Sequence, residues 1–271
     1  MIPSHVTAVY FSPTGNTEKI VIAAAGSIAE NFSVNVSCVD ITALSARKKN
    51  LSFGKNDIVV FGFPVYAGRL PNKLISDLRS IFKGGGAAAV AMVTFGNRSF
   101  DNALKELESE LCALGFNVIS GAAIVSEHAF SSLLAPSRPD ENDISDIRIF
   151  ASKVCAKLKR GDNSLPCIPG DAMAPYYVPL DEFGKPAMFL KAVPKTLKER
   201  CTDCKMCAKM CPMGSVSYED TSKINGVCIK CHACVCGCAN KAKYFDDPAF
   251  VSHVKMLELN YTRPAVSEFF V

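Results

Sequence analysis

Two equally spaced runs of cysteine constrain this chain more than anything else in it. The first is Cys201-x2-Cys204-x2-Cys207-x3-Cys211-Pro212, and the second is Cys228-x2-Cys231-x2-Cys234-x3-Cys238. Together they hold eight of the 13 cysteines. The N-terminus has no basic n-region, and its apolar stretch Val6–Phe11 is too short for a signal core, so a cytoplasmic protein is expected. In a reducing compartment, cysteines at regular spacing read as metal ligands and not as disulfides. Cys38, Cys112, Cys155, Cys167 and Cys236 share no such spacing. Cys38 and Cys112, in an expected strand and an expected helix, read as small buried hydrophobes. Cys236 falls inside the second run at the wrong spacing and reads as a bystander.

Structural zinc favours two cysteine pairs separated by a longer gap. A triplet with a fourth cysteine three residues on is instead the iron–sulfur run of bacterial ferredoxins, in which the fourth cysteine of each run ligates the other cluster. That run implies two [4Fe–4S] clusters. One would take Cys201, Cys204, Cys207 and Cys238, the other Cys228, Cys231, Cys234 and Cys211. Three close thiolates grip three iron corners from one loop, and the distant fourth ties the two halves together. The second run departs from the pattern where Ala239 follows Cys238 in place of proline.

The first 160 residues follow another rhythm. Apolar runs at Val6–Ser12, Asn35–Ile41, Asp57–Pro64, Ala87–Phe95 and Val118–Ser126 alternate with amphipathic segments at Asn16–Glu30, Asn72–Phe82, Asn102–Leu114 and Glu141–Arg160. This βα alternation predicts an α/β fold: a five-stranded, doubly wound parallel sheet of flavodoxin-like type, helices on both faces. Continuously apolar strands such as Ile58–Phe61 suit a sheet covered on both sides. No Gly-x-Gly-x-x-Gly follows a strand, so a dinucleotide fold is not expected.

Four regions follow: residues 1–160 as the α/β domain, 161–194 as a linker, 195–245 as a small α+β two-cluster domain, and 246–271 as a helix and tail. The linker holds six prolines and three glycines, which should keep it irregular. Its Tyr176, Tyr177, Phe183, Met188 and Phe189 argue against a solvated tether and for packing across both domains. Asp247-Pro248 reads as a cap and first turn of a helix burying Phe250, Val254 and Leu257.

After the first strand, Tyr10-Phe11-Ser12-Pro13-Thr14-Gly15-Asn16-Thr17 gathers hydroxyls and a glycine at a helix N-terminus, where amides can bind phosphate without lysine. It resembles the FMN phosphate loop of flavodoxins. Segments 62–71 and 94–102, after the third and fourth strands, are similar to the two loops that hold the flavin ring there. With the cysteine runs, nearly the whole chain resembles the flavodoxin–ferredoxin fusion proteins of anaerobic bacteria and archaea. By that resemblance Ser12, Thr14, Gly15, Asn16 and Thr17 bind the phosphate. Pro64, Val65, Tyr66, Ala67 and Gly68 line one side of the ring. Thr94, Phe95, Gly96, Asn97 and Arg98 line the other, with Phe100 and Asp101 at the edge. The chain has no tryptophan, so stacking falls to Tyr66 or Phe100, with Tyr66 favoured by its loop position. His128, after the fifth strand, is a candidate to protonate the reduced ring, against the plainer reading of a strand-end histidine bonded to a loop. Arg138 is expected to pair with Asp140 or Asp143.

The resemblance implies an electron-transfer protein passing electrons between FMN and two [4Fe–4S] clusters and on to ferredoxin- or flavodoxin-type partners. The alternative is an FMN-dependent reductase of a small organic acceptor fed through the ferredoxin domain. A weaker third reading is a redox sensor reporting through Cys236. The formal charge of +4 is offset by about −2 from each cluster site and about −2 from a flavin phosphate, so no nucleic-acid partner is expected. No segment is apolar for long enough to span a membrane. A homodimer stays open, because transfer could run between two chains.

Overall fold

The computed structural model describes residues 3–271. The chain begins β1 (His5–Tyr10), α1 (Asn16–Phe32), β2 (Val36–Asp40), β3 (Leu51–Ser52), β4 (Asp57–Pro64), α2 (Asn72–Ile81), β5 (Phe82–Lys83), β6 (Ala88–Phe95), α3 (Ala103–Ala113), β7 (Asn117–Val125) and α4 (Glu141–Lys159). In the main sheet β2, β1, β4, β6 and β7 lie side by side and parallel, the flavodoxin-like 2-1-3-4-5 order in which the strand sequence reverses beside β1. Ligands in such sheets sit at that reversal, beyond the carboxyl ends of the strands.

Apolar side chains cover both faces, which is why the central strands need no alternation. Ile20, Ala24 and Ile28 of α1 and Ile147, Phe150 and Val154 of α4 pack one face with Val6, Ala8, Val60 and Met92. Leu74 and Leu78 of α2 and Leu104, Leu107 and Leu111 of α3 pack the other with Val9, Phe61, Phe63 and Val93. Helix α4 starts at a reciprocal capping box between Asp140 and Asp143, and Arg138 pairs with the Asp143 carboxylate.

Cys38 and Cys112 are exposed, contrary to the expectation that they are buried. β2 is an edge strand with little cover, and Cys112 is on the outer face of α3, so neither side chain reaches the core.

The cysteine-rich segment holds β8 (Lys195–Thr196), α5 (Met206–Lys209), α6 (Ala233–Cys236) and β9 (Lys243–Tyr244), with β8 and β9 antiparallel. Its two runs repeat in backbone as well as in cysteine. Asp203, Lys205 and Gly214 have positive φ, and so do Lys230, His232 and Lys241, each 27 residues further on. The segment is joined to the sheet domain by Arg47, whose Nη2 donates to Thr42 O at 2.7 Å and Pro212 O at 2.8 Å.

Helix α7 (Pro248–Asn260) follows, capped by Asp247, and then β10 (Glu268–Phe270). β10 pairs antiparallel with β7, so the sheet has six strands and not the five expected. Three residues are too few to carry a readable strand pattern, and their partner lies far away in sequence.

Candidate functional site

A cavity of about 500 Å³ opens at the carboxyl ends of β1, β4 and β6, within the usual size of a small-molecule or cofactor site. Thr14, Asn16 and Thr17 line it from the start of α1. Gly15 is the N-cap at φ 90° and has no side chain to cap with, so first-turn amides, orphaned in any helix, are left at this rim. Ser12 and Gly15 are not part of the wall. Ser12 Oγ instead accepts from Glu18 N at 2.9 Å and so caps one amide of the first turn.

Pro64, Val65, Tyr66, Ala67 and Gly68 all line the cavity, as do Thr94, Phe95, Gly96 and Arg98. The two loops are tied by Val65 N donating to Thr94 O at 2.8 Å, and Thr17 and Thr94 share a hydroxyl hydrogen bond of 2.7 Å. Glycine is required at position 68, where φ is +77° and an added Cβ would lie 2.3 Å from Asp101 Oδ2.

Three residues expected at the ring lie elsewhere. Asn97 is buried and holds the C-terminal tail: its Nδ2 donates to Tyr261 O and to Arg263 O, and its Oδ1 accepts from Ala265 N at 2.9 Å. Phe100 is a core side chain whose ring lies tilted against that of Phe95, 5.6 Å between centres. Asp101 fits beneath Gly68 and pairs with Arg98, which turns it from the cavity.

His128 lines the cavity, with its ring against Gly96. Its Nδ1 accepts from Phe130 N at 3.1 Å, so its proton resides on Nε2. Burial, with the nearby His232, His253 and Arg98, lowers its pKa from 6.5 to about 3. The ring is therefore neutral at physiological pH. It remains an Nε2–H donor.

The linker forms the roof. Tyr177 N donates to Ala67 O at 2.8 Å, Tyr176 OH donates to Leu70 O at 2.7 Å, and the Arg98 guanidinium stands 3.9 Å from the centre of the Tyr177 ring. Phe189 joins the wall and packs edge-on against Phe250 at 5.4 Å. Phe183 and Met188, by contrast, are exposed. The sequence signalled the linker aromatics but not His253 and Leu257 of α7, whose helical spacing matches any buried face.

The fourth side of the cavity is the cysteine segment. Cys228, Ile229, Lys230 and Cys231 line it, and burial together with the neighbouring Cys231 and Cys228 raises the Tyr66 hydroxyl well above its ordinary range. Behind this wall a smaller void is lined by Cys211, Cys228, Cys231 and Cys234 among apolar residues including Met213, Val216 and Phe245. Cys211 Sγ accepts from Ser215 N at 3.3 Å, and the equivalent Cys238 Sγ accepts from Ala242 N, also at 3.3 Å. Amide donors to ligand sulfur are one of the features that set a cluster's potential. Cys201 lies 4.0 Å from Thr221 Oγ1, and Asn240 Nδ2 reaches Thr202 at 3.1 Å, which brings the end of the second run back to the start of the first. Burial pushes the Cys231 and Cys234 thiols up to about 12, so thiolates there need a bound cationic core. Among the described residues no three Cys, His, Asp or Glu side chains converge on a single-ion site. Cys236 is exposed, and its Sγ approaches Ala129 O at 3.9 Å, outside this set.

No family model matches the chain, and no curated protein matches it. Solved structures do. A flavodoxin from the domain Archaea is 16% identical and covers 57% of this chain and 99% of its own, with a TM-score of 0.40. Flavodoxin 2 from Bacillus cereus is 22% identical over 57% of this chain and 99% of its own, at 0.39. The rubredoxin oxygen:oxidoreductase of Desulfovibrio gigas is 20% identical over 58% of this chain but only 37% of its own, also at 0.39. The flavodoxin-like α/β fold itself is defined by the strand order. No helix among the described residues is long and apolar enough to cross a membrane.

Proposed function

We propose that this chain is an electron-transfer flavo-iron–sulfur protein, with FMN in the 500 Å³ cavity and two [4Fe–4S] clusters on the eight regularly spaced cysteines. One observation carries the reading: Cys228 and Cys231 belong both to the wall of the cavity and to the wall of the void they share with Cys211 and Cys234. A cofactor in the cavity would abut a cluster ligand set with no intervening element. When bound, FMN exchanges electrons singly or in pairs and each cluster passes one at a time.

The chain's own residues have distinct tasks. The first turn of α1, with Thr14, Asn16 and Thr17, would take the phosphate. Val65, Tyr66 and Ala67 face Phe95 and Gly96 across the ring site, and Tyr176, Tyr177 and Phe189 line it from the linker side. Tyr66 stands between the ring site and the cluster ligands. Ser215 N and Ala242 N supply amide protons to ligand sulfurs, which raises a cluster's potential.

The test is an anaerobic reductive titration of protein whose flavin and iron have been counted. Full loading should take up about four electrons, two on FMN and one per cluster. Uptake of about two, with flavin and little iron, overturns the reading. The enclosing roof and the Nε2–H of His128 favour a second reading, a reductase of a small organic acceptor. That reading needs saturable reoxidation of reduced flavin by the acceptor, slowed in His128→Ala.

A further inference from the structure

A second cavity, of about 690 Å³, adjoins the first, and none of the cysteines in the two ligand sets lines it. The two cavities share Thr14, Asn16 and residues 127–130 in their walls. The rest of the second wall comes from Ser131 and Ser132, from Val235 and Cys236 of α6, and from Val251, Val254 and Glu258 on α7. Its size is that of a small-molecule site. It is a groove open to solvent, where Ser132, Cys236, Val251 and Lys255 are exposed, and no linker residue lines it.

The groove's chemistry limits what it can hold. One wall is a group of rings. His232 lies parallel to Phe245 with 4.7 Å between centres, and Phe250 meets Phe130 at 4.9 Å and Phe245 at 4.8 Å. Such a surface favours a flat guest. The cation in the wall, Lys255, already pairs with Glu182, while Glu127 and Glu258 add two carboxylates, so an anion is disfavoured. One donor is left over. His128 lines both cavities, and its Nε2–H has no acceptor among the described residues. A cation cannot accept that hydrogen bond, whereas a carbonyl oxygen at the partition can. A flat, uncharged carbonyl compound meets all three conditions.

Resting on the reductase reading given second above, we infer that this groove is the acceptor site, and that the acceptor is an uncharged planar compound of the quinone class. One carbonyl oxygen accepts from His128 Nε2–H at the partition, and the ring lies against Phe130. Two electrons and two protons pass from the fully reduced flavin, which returns to its oxidised form, to the quinone, which leaves as its hydroquinone. The acceptor enters and leaves between the loop at Ser132 and α7, away from the linker.

The experiment uses the full chain with its flavin and iron counted. The probe is duroquinone, whose ring is fully methylated and so does not add thiols such as Cys236. Binding to the oxidised protein is read by equilibrium dialysis. Turnover is read by anaerobic stopped flow, as the return of flavin absorbance when stoichiometrically reduced protein meets the quinone. Ser132→Trp and Val254→Trp narrow the groove from the loop and from α7, and neither residue lines the flavin cavity. Each should weaken binding about 10-fold or more and raise the quinone concentration at half the limiting rate by the same factor, with flavin and iron content kept. Leu259→Trp, at an exposed position of α7 that lines neither cavity, should change neither value. Saturable reoxidation that both groove variants leave unchanged overturns the inference and leaves the reductase reading standing. So does saturable reoxidation by a quinone that the oxidised wild type does not bind. Reoxidation that rises linearly with quinone in the wild type overturns the reductase reading, and the inference with it.

Discussion

Between His5 and Lys159 the chain buries an apolar layer on each face of a sheet, with Phe61, Phe63 and Phe150 among its fully enclosed side chains. Between Lys195 and Tyr244 the buried apolar residues are few and small, namely Val216, Ala233, Cys234 and Ala242, and they share the interior with Ser215, Thr221, His232 and Lys243. The sheet region folds by removing hydrocarbon from water. The cysteine region is short, has almost no core and needs a cross-link that hydrocarbon does not provide, as small metal-bound domains generally do. On the cofactor reading proposed above, one region is stable as a polypeptide, and the other is stable only as a polypeptide with its metal.

Stripping the iron tests this contrast most severely. Chelation should open residues 195–245 to protease by about 100-fold or more and leave residues 1–160 resistant, as seen in the fragment pattern of a limited digest. Equal sensitivity of the two regions would end the comparison. Phe61→Ala attacks the other side. Phe61 is fully buried, with its ring 5.0 Å from Phe116 and 5.3 Å from Phe82, and its loss should cost about 3–5 kcal/mol in a denaturant melt of the sheet region. Iron content under native conditions should not change.

Asn97→Ala probes the seam between the regions. It should cost about 1–3 kcal/mol, because two carbonyls and an amide of the tail lose their partner. Hydrogen exchange at Glu268–Phe270 should rise before exchange in β4 or β6. The smallest effect at neutral pH belongs to His128. Its folded pKa of about 3 lies below the ordinary 6.5, so the unfolded chain binds more protons between those values. Its contribution is fully present above about 6.5 and is lost as pH falls toward about 3. In His128→Gln the melting temperature should therefore decline less over that range than in wild type.

The same contrast explains what could be read from residues alone. The five parallel strands and their helices were legible to within a residue or two because each carries its own apolar pattern. The cysteine spacing was legible because ligand geometry is local. The tail contacts of Asn97 were not legible, because its loop, at φ +65°, looks like any cofactor loop, and its partners lie 164 to 168 residues away. The inward turn of Phe100 and Asp101 was not legible either, since neighbours in a loop need not face the same way. Only the folded chain showed that Cys228 and Cys231 reach the cavity, because that wall joins segments with no shared sequence pattern.

The antiparallel pairing of β10 with β7 bears on how the molecule is made. The strand that covers the β7 edge is separated from it by the linker, both cysteine runs and α7. During synthesis that edge, with its unpaired amides and carbonyls, is presented to the surroundings until the final strand leaves the ribosome. Open edges of this kind recruit other strands. With the clusters proposed above, metal loading of the cysteine segment and closure of the sheet would fall in the same interval, and a chain stalled between them would carry an adhesive margin next to an empty thiol nest.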